Sequence, residues 1–310
     1  MYRGLKLLMK DLRFDILEMP ECGAEGALIT RLIDTPAVVR LHSPSQLIMP
    51  LYDVPKADIL LCSWIEKQAI HRANVLTSPS VFLSTEVRDR MSVDRYISLI
   101  PNGIDLPLFD CEPLADIHRL YGIPEGQITI LFAGRMERRK GIHLCEAIVE
   151  MVLSQRDVTF LFAGEDLFRY LESTMLPALA AKELLGSVRY LGKLGVKELR
   201  ACARAVDIYL LPSLWENFPY ACLEAMASSR AIVCSEQGGL PEMIQDGING
   251  LLAKAGSPES FADKLVTLID DPNLRRTLGA AARRTAEEEY TDTRVAKLAE
   301  EIYRECLKRQ

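Results

Sequence analysis

The sequence lacks the short signatures of several common enzyme classes. No two glycines stand one residue apart in its 310 residues, so the G-x-G-x-x-G dinucleotide fingerprint is missing, which disfavours an oxidoreductase. No G-x-x-x-x-G-K-[ST] phosphate loop is present. No two aspartates stand one residue apart either, which removes the D-x-D arrangement that would hold a metal-bound diphosphate. The eight cysteines include no C-x-x-C pair and no metal-type cluster. Several lie in apolar patterns, so they read as buried free thiols in a reducing, cytoplasmic compartment. No uninterrupted apolar run approaches the ~18 residues of a membrane span. The basic, apolar start Met1–Lys10 has no small-residue cleavage site and does not read as a signal peptide. It reads as a helix packed on its own sheet, with a patch for peripheral membrane contact as the alternative.

What is there is an ordinary globular composition, 49% apolar and 26% charged, long enough for two domains. The net charge of −6 argues against nucleic acid as a partner. Any site for a polyanion must be a local pocket of Lys and Arg.

The second half alternates regularly. The runs 128–133, 158–163, 188–191, 207–211 and 231–234 look like strands buried on both faces. Segments 142–153, 167–185 and 198–204 between them have helical spacing. Leu-Phe-Ala-Gly occurs at Leu131–Gly134 and again at Leu161–Gly164, an interval of about one βαβ unit. Such alternation predicts a parallel, doubly wound sheet with ligands at the carboxyl ends of its strands. The first half repeats the pattern more weakly, with strands expected at 15–19, 37–42, 74–78 and 98–100 and a helix at 65–72. Pro101-Asn102-Gly103-Ile104-Asp105, then Pro107 and Pro113, mark a domain boundary near residue 106. After Asp246–Gly250, a turn before a last short strand, and beyond Ser257, the pattern is helical to the end.

Two strand–helix junctions carry chemistry. Gly134-Arg135-Met136-Glu137-Arg138-Arg139-Lys140-Gly141 follows the first strand of the second half. Arg135 after the strand and Lys140 opening the next helix suit a diphosphate: a guanidinium fork, a point charge and a helix N-terminus. The other junction, Glu216-Asn217-Phe218-Pro219-Tyr220-Ala221-Cys222-Leu223-Glu224, places two carboxylates around a proline able to start a helix. Free N–H groups of that first turn attract anions, and a carboxylate beside them can accept hydrogen bonds from sugar hydroxyls. Glu224 sits among Leu223, Ala225, Met226 and Ala227, where an idle carboxylate would be costly. A third junction, Gln237-Gly238-Gly239-Leu240-Pro241-Glu242, fits either a close backbone approach to a ligand or an ordinary tight turn.

Together Gly134-Arg135-x4-Lys140-Gly141, Pro212-Ser213, the E-x7-E pair Glu216/Glu224, Gly238-Gly239-x-Pro241-Glu242 and Asn102–Asp105 resemble the retaining glycosyltransferases of the GT-B fold, within them glycosyltransferase family 4, the group 1 glycosyl transferases. The resemblance covers roughly residues 14–255. It implies an α/β protein of two doubly wound Rossmann-like domains with C-terminal helices. The expected division is an acceptor-side domain at 1–106, a nucleotide-sugar domain at 107–286 and a terminal helix at 287–310.

The resemblance implies that Arg135 and Lys140 bind the donor diphosphate and stabilise it as it leaves. Glu224 would hold the donor ribose, and Glu216 would stand by the donor sugar in a polar or catalytic role. Backbone amides of Phe218, Pro219's neighbourhood, Tyr220 and Ala221 would contact phosphate or sugar, and the base would lie on backbone near Gly192-Lys193-Leu194. His42, otherwise a structural strand-end histidine, would face the donor sugar; Glu21 and Glu25 are placed on the acceptor side. No cofactor and no metal are expected. The partners implied are a UDP-, GDP- or ADP-sugar as donor and a glycan, lipid or small-molecule acceptor.

Two departures matter. Family members often have glycine where Pro219 stands. They also begin with a strand and a glycine-rich loop, so the first domain here is expected to be incomplete. The first domain then leaves two alternatives open: a transferase, or an inactive nucleotide-sugar-binding subunit completed by a partner chain.

Overall fold

The computed structural model describes residues 2–23, 25–110 and 116–308; Cys111, Pro113 and the side chain of Glu25 lie outside the described residues. It divides into two compact units, one of residues 1–102 with 293–310 and one of residues 103–292. The division expected at 106 moves upstream because Ile104, Leu106 and Phe109 are buried in the core of the second unit. The terminal helix expected from 287 begins at Asp292, since the preceding helix runs on to Glu289.

The first unit holds a parallel sheet of β1 (Leu17–Pro20), β2 (Ala37–Arg40), β3 (Val75–Ser78) and β4 (Ile97–Leu99), in that order. Val38, Val39, Leu76 and Ile97 are almost wholly buried, consistent with strands covered on both faces. The helix expected at 65–72 starts earlier, at Lys56; its first turns escape the sequence pattern because Leu60, Leu61 and Trp64 are exposed and give no one-sided apolar stripe. Helix 81–91 opens on Ser80, whose Oγ accepts the Leu83 N–H at 3.1 Å. Arg40 donates from Nη2 to the carbonyls of Ile100 (3.0 Å) and Pro101 (3.3 Å) and to Asn102 Oδ1 (3.1 Å), fixing the chain where the first pass through this unit ends.

The second unit holds six parallel strands: β5 (Ile128–Ala133), β6 (Val158–Ala163), β7 (Val188–Gly192), β8 (Ile208–Leu211), β9 (Ala231–Ser235) and β10 (Leu251–Ala253). Their order, β10-β9-β8-β5-β6-β7, reverses direction between β5 and β8. Alternate residues feed two cores: Ile130 and Phe132 lie in one, Leu131 and Ala133 in the other. The repeated tetrapeptide has a structural reason. Leu131 pairs with Leu161 and Ala133 with Ala163 on adjacent strands, and the Gly134 N–H donates to the Ala163 carbonyl at 2.9 Å. A Cβ on Gly164 would lie 1.8 Å from the Gly134 oxygen, so only glycine fits there.

The helix expected at 167–185 is shorter, spanning 170–181, and opens with a π-helical turn. A π-helical turn at 171–175 and an α-helix at 176–181 follow Asp166, whose carboxylate accepts the N–H groups of Tyr170 (2.9 Å) and Leu171 (2.7 Å). Helices 258–270 and 272–289 close the unit, and no strand follows Ala253 among the described residues.

Candidate functional site

In a doubly wound sheet the loops on either side of the strand-order reversal part company, leaving a crevice at the carboxyl ends of the two central strands. Here those strands are β5 and β8, and their loops are the basic 134–141 and the acidic 212–219. The two loops are locked together through backbone. Gly141 has φ +80°, and a Cβ there would lie 2.0 Å from the Pro212 carbonyl oxygen. The Leu214 N–H donates to the Arg139 carbonyl at 2.8 Å. Lys140 therefore does not open the next helix: it ends a 3₁₀ turn at 138–140, and the helix begins at Ile142.

Five charged side chains meet between the loops, with the Ser213 hydroxyl beside them. Glu216 Oε1 accepts from Lys140 Nζ at 2.5 Å and from Ser213 Oγ at 2.9 Å. Arg139 Nη1 stands 3.5 Å from Glu216 Oε2 and donates to the Trp215 carbonyl at 3.3 Å. Its Nη2 donates to Glu137 Oε1 at 2.8 Å, and Arg135 Nη2 reaches the same oxygen at 3.2 Å. Glu137, Arg139 and Glu216 are buried, Lys140 is largely so, and Arg135 is half exposed. Arg135, Arg139 and Lys140 face Glu137 and Glu216, three cations against two carboxylates, so one positive charge is left over. A buried ion pair contributes little net stability because desolvation offsets attraction. The surplus charge and the paired loops are thus better explained by an anion to be bound than by the fold's own needs.

Pro219 precedes the helix rather than forming its first residue, and the helix runs Tyr220–Ala227. The Tyr220 and Ala221 N–H groups, at its first turn, donate to no protein group among the described residues. The Phe218 side chain is buried edge-on against Tyr290, with ring centroids 5.2 Å apart. Leu194 packs partly into the second core. Glu224 is half-buried on the same helix, and burial pushes its carboxyl up to about 7, with Arg200 opposing. Its carboxylate has no hydrogen-bond partner among the described residues. Tyr209 on β8, within electrostatic reach of Glu224, has a fully buried hydroxyl that is likewise unpartnered. Gly238 belongs to the same region: its positive φ of +69° and the Gly239 N–H bond to the Glu216 carbonyl (3.0 Å) make that junction a support for Glu216.

His42 belongs to the first unit, exposed just beyond β2. Its backbone N–H is shared between both oxygens of Glu21, at 2.9 and 2.8 Å, and the Ser43 N–H reaches Oε1 at 2.6 Å. Glu21 is fully buried, and burial raises it to about 7 against these N–H bonds, with Glu66 adding to the rise. It is thus a holder of the His42 backbone rather than a surface acceptor group. Although the residue is exposed overall, partial desolvation of the His42 ring, helped by Arg40, holds it below its ordinary pKa.

The structure brings Arg135, Lys140 and Glu216 together, as the sequence predicts, and adds Arg139, Glu137 and Ser213, which it does not. Three consecutive cations at 138–140 carry no periodic pattern that would tell which one turns inward.

Comparison with known proteins agrees with this geometry. Residues 115–285 match the model of the family described as glycosyl transferases group 1, and residues 1–107 that of glycosyltransferase family 4. The first match spans more than half of the chain, which therefore belongs to the group 1 glycosyl transferases. The 2-deoxystreptamine glucosyltransferase of Streptomyces kanamyceticus is 28% identical over 254 residues, 80% of this chain; the chain spans 65% of that protein's length. Sucrose-phosphate synthase of Thermosynechococcus elongatus superposes with a TM-score of 0.85 at 21% identity, over 99% of this chain and 77% of that one. The Anabaena protein HepE, solved in complex with UDP-glucose, gives 0.77 at 20% identity, over 96% of this chain and 81% of that one. The fold is that of the GT-B glycosyltransferases.

Proposed function

We propose that this protein transfers a sugar from a nucleotide-diphosphate sugar to an acceptor hydroxyl, with retention of anomeric configuration and without a metal ion. The observation that carries this reading is the meeting of Lys140 with Glu216 at 2.5 Å, where the basic and acidic loops converge at the strand-order reversal. The donor diphosphate would take the surplus positive charge of Arg135 and Lys140 and the free N–H groups of Tyr220 and Ala221. Glu224 would accept from the ribose hydroxyls, and Glu216 would face the sugar. As the bond from the sugar carbon to the diphosphate oxygen breaks, negative charge builds on the leaving group. Preorganised donors stabilise that charge more than the ground state. A UDP-sugar is the first donor to try, since a relative is a glucosyltransferase and a structural neighbour is solved with UDP-glucose.

Thermal-shift screening with UDP-, GDP- and ADP-sugars tests the reading, because a ligand bound only by the native state stabilises it by about 2.7 kcal/mol at a hundred times its Kd. One family of donors should raise Tm and be turned over. No shift with any donor would refute the proposal. A shift with neither transfer nor hydrolysis would assign the chain to donor binding alone.

A further inference from the structure

We infer that Arg139 is a positioning residue that lets Lys140 leave Glu216 for the donor without stranding a buried carboxylate. The inference rests on the donor-binding reading above and deepens it.

The five-residue network has two kinds of cation. Arg139 is fixed. Its Nη2 donates to Glu137, its Nη1 stands against Glu216 and the Trp215 carbonyl, and its own carbonyl accepts the Leu214 N–H. A planar guanidinium held at several points cannot move without breaking all of them. Lys140 and Arg135 are different. Lys140 is a compact charge on a flexible stem whose tip meets Glu216, and Arg135, half exposed, reaches Glu137 through Nη2. Each carboxylate thus shares the one fixed cation and holds one cation that can swing away.

A diphosphate binding between the loops would draw on Lys140 and Arg135. If Arg139 were absent, drawing Lys140 off would leave Glu216, 5% exposed, with Ser213 Oγ in place of a charge. Removing one partner of a buried pair is strongly unfavourable because the remaining charge is uncompensated. With Arg139 present, Glu216 and Glu137 each keep a cation throughout, and donor loading exchanges ion pairs. Arg139 does not touch the donor in this scheme; it acts through Glu216 and Glu137.

The test is calorimetric titration of the full chain with UDP and, separately, with inorganic pyrophosphate. The variants are Arg139→Gln, Arg139→Lys, Glu216→Gln and the double variant Arg139→Gln with Glu216→Gln, each checked for a native circular dichroism spectrum. Arg139→Gln should weaken binding about tenfold, Arg139→Lys less, a coupling within the range seen for residues of one network. The distinguishing result is the double variant. With Glu216 neutral, moving Lys140 strands no carboxylate and only Glu137 loses its cation as Arg135 moves, so the double variant should bind clearly better than Arg139→Gln and come within about threefold of Glu216→Gln alone. Should Arg139→Gln fail to fold, Arg139→Lys with and without Glu216→Gln makes the same comparison. A folded Arg139→Gln that binds like the wild type would overturn the inference. So would a double variant as weak as Arg139→Gln, the result expected if Arg139 merely braces the loops. Failure of both UDP and pyrophosphate to bind the wild type and Glu216→Gln would remove the donor reading itself, and this inference with it.

Discussion

The carbonyl oxygen of Glu216 occupies the space that a side chain on residue 238 would need: a Cβ built on Gly238 lies 2.1 Å from it. The junction after β9 therefore sets the height of the acidic loop after β8. Gly238→Ala should cost stability, at about 2 kcal/mol or more, from a left-handed backbone and a direct clash together. It should also weaken UDP binding, since the Glu216 backbone must shift. Gly247→Ala is the control: its φ is +75°, but nothing lies within 4 Å of the added Cβ. Denaturant melts and UDP titrations of both variants decide the matter; equal losses of affinity would sink the idea.

Arg135→Ala and Lys264→Ala separate leaving-group stabilisation from general charge. Lys264 pairs with Asp246 at 3.3 Å, away from the two loops. Removing Arg135 should lower kcat/KM about a hundredfold, the order seen when one oriented donor to a developing anion is lost. Lys264→Ala should stay within about twofold. Steady-state kinetics showing similar effects for both would end the assignment of Arg135.

Glu224 makes a pH-dependent contribution whose sign is fixed by its environment. Its carboxyl rises from the ordinary 4.5 to about 7 on folding, mainly through burial. Between those values the folded chain binds a proton that the unfolded chain does not, so stability falls as pH rises through that window. Glu224→Gln removes this loss. The gap in Tm between Glu224→Gln and the wild type should open from pH 4.5 to pH 7 and then level off. Glu21 titrates in the same window, so the variant's curve should flatten without becoming level. The same variant should bind UDP more weakly, through loss of a ribose acceptor.

The thiols should sort by burial. Of the seven described cysteines, Cys22 and Cys62 are half-buried and the other five buried. Burial pushes Cys202 up to about 12 and raises Cys145, Cys222 and Cys234 as well. Thiolate is the reactive form, so these four should resist alkylation in the native protein. Peptide mapping after iodoacetamide at neutral pH should find label on Cys22 and Cys62 first. Early label on Cys222 or Cys234 would contradict the packing of β9 and the 220–227 helix.

The parts of the fold that read clearly from the sequence are those where burial on both faces leaves a continuous apolar run. Ile128–Ala133 and Val158–Ala163 are strands at the residues expected, and helix 142–153 likewise. Helix 56–72 was legible only from Ile65 onward, because apolar side chains at 60, 61 and 64 face outward and blur the stripe. The late start of the 170–181 helix, where Asp166 accepts two amides ahead of a π-helical turn, is a local side-chain detail with no periodic trace. At the site, Arg135, Lys140, Glu216 and Glu224 stood out through spacing. The inward turn of Arg139 did not, since it is set by the Gly141–Pro212 contact between loops about seventy residues apart. Nor did Glu21, whose work on the His42 backbone only folding reveals.

The last helix gives the chain a particular order of assembly. The Ile104 N–H donates to the Tyr290 carbonyl at 2.8 Å and the Asp292 N–H to the Ile104 carbonyl at 3.2 Å, so the outgoing and returning strands of polypeptide are clasped side by side. Beyond that clasp Cys306 is 2% exposed, and the Tyr303 hydroxyl donates to Glu18, near the other end of the sequence. During synthesis residues 103–292 emerge as a finished unit before 293–310 exist. The half that is translated first must therefore be the half that is completed last.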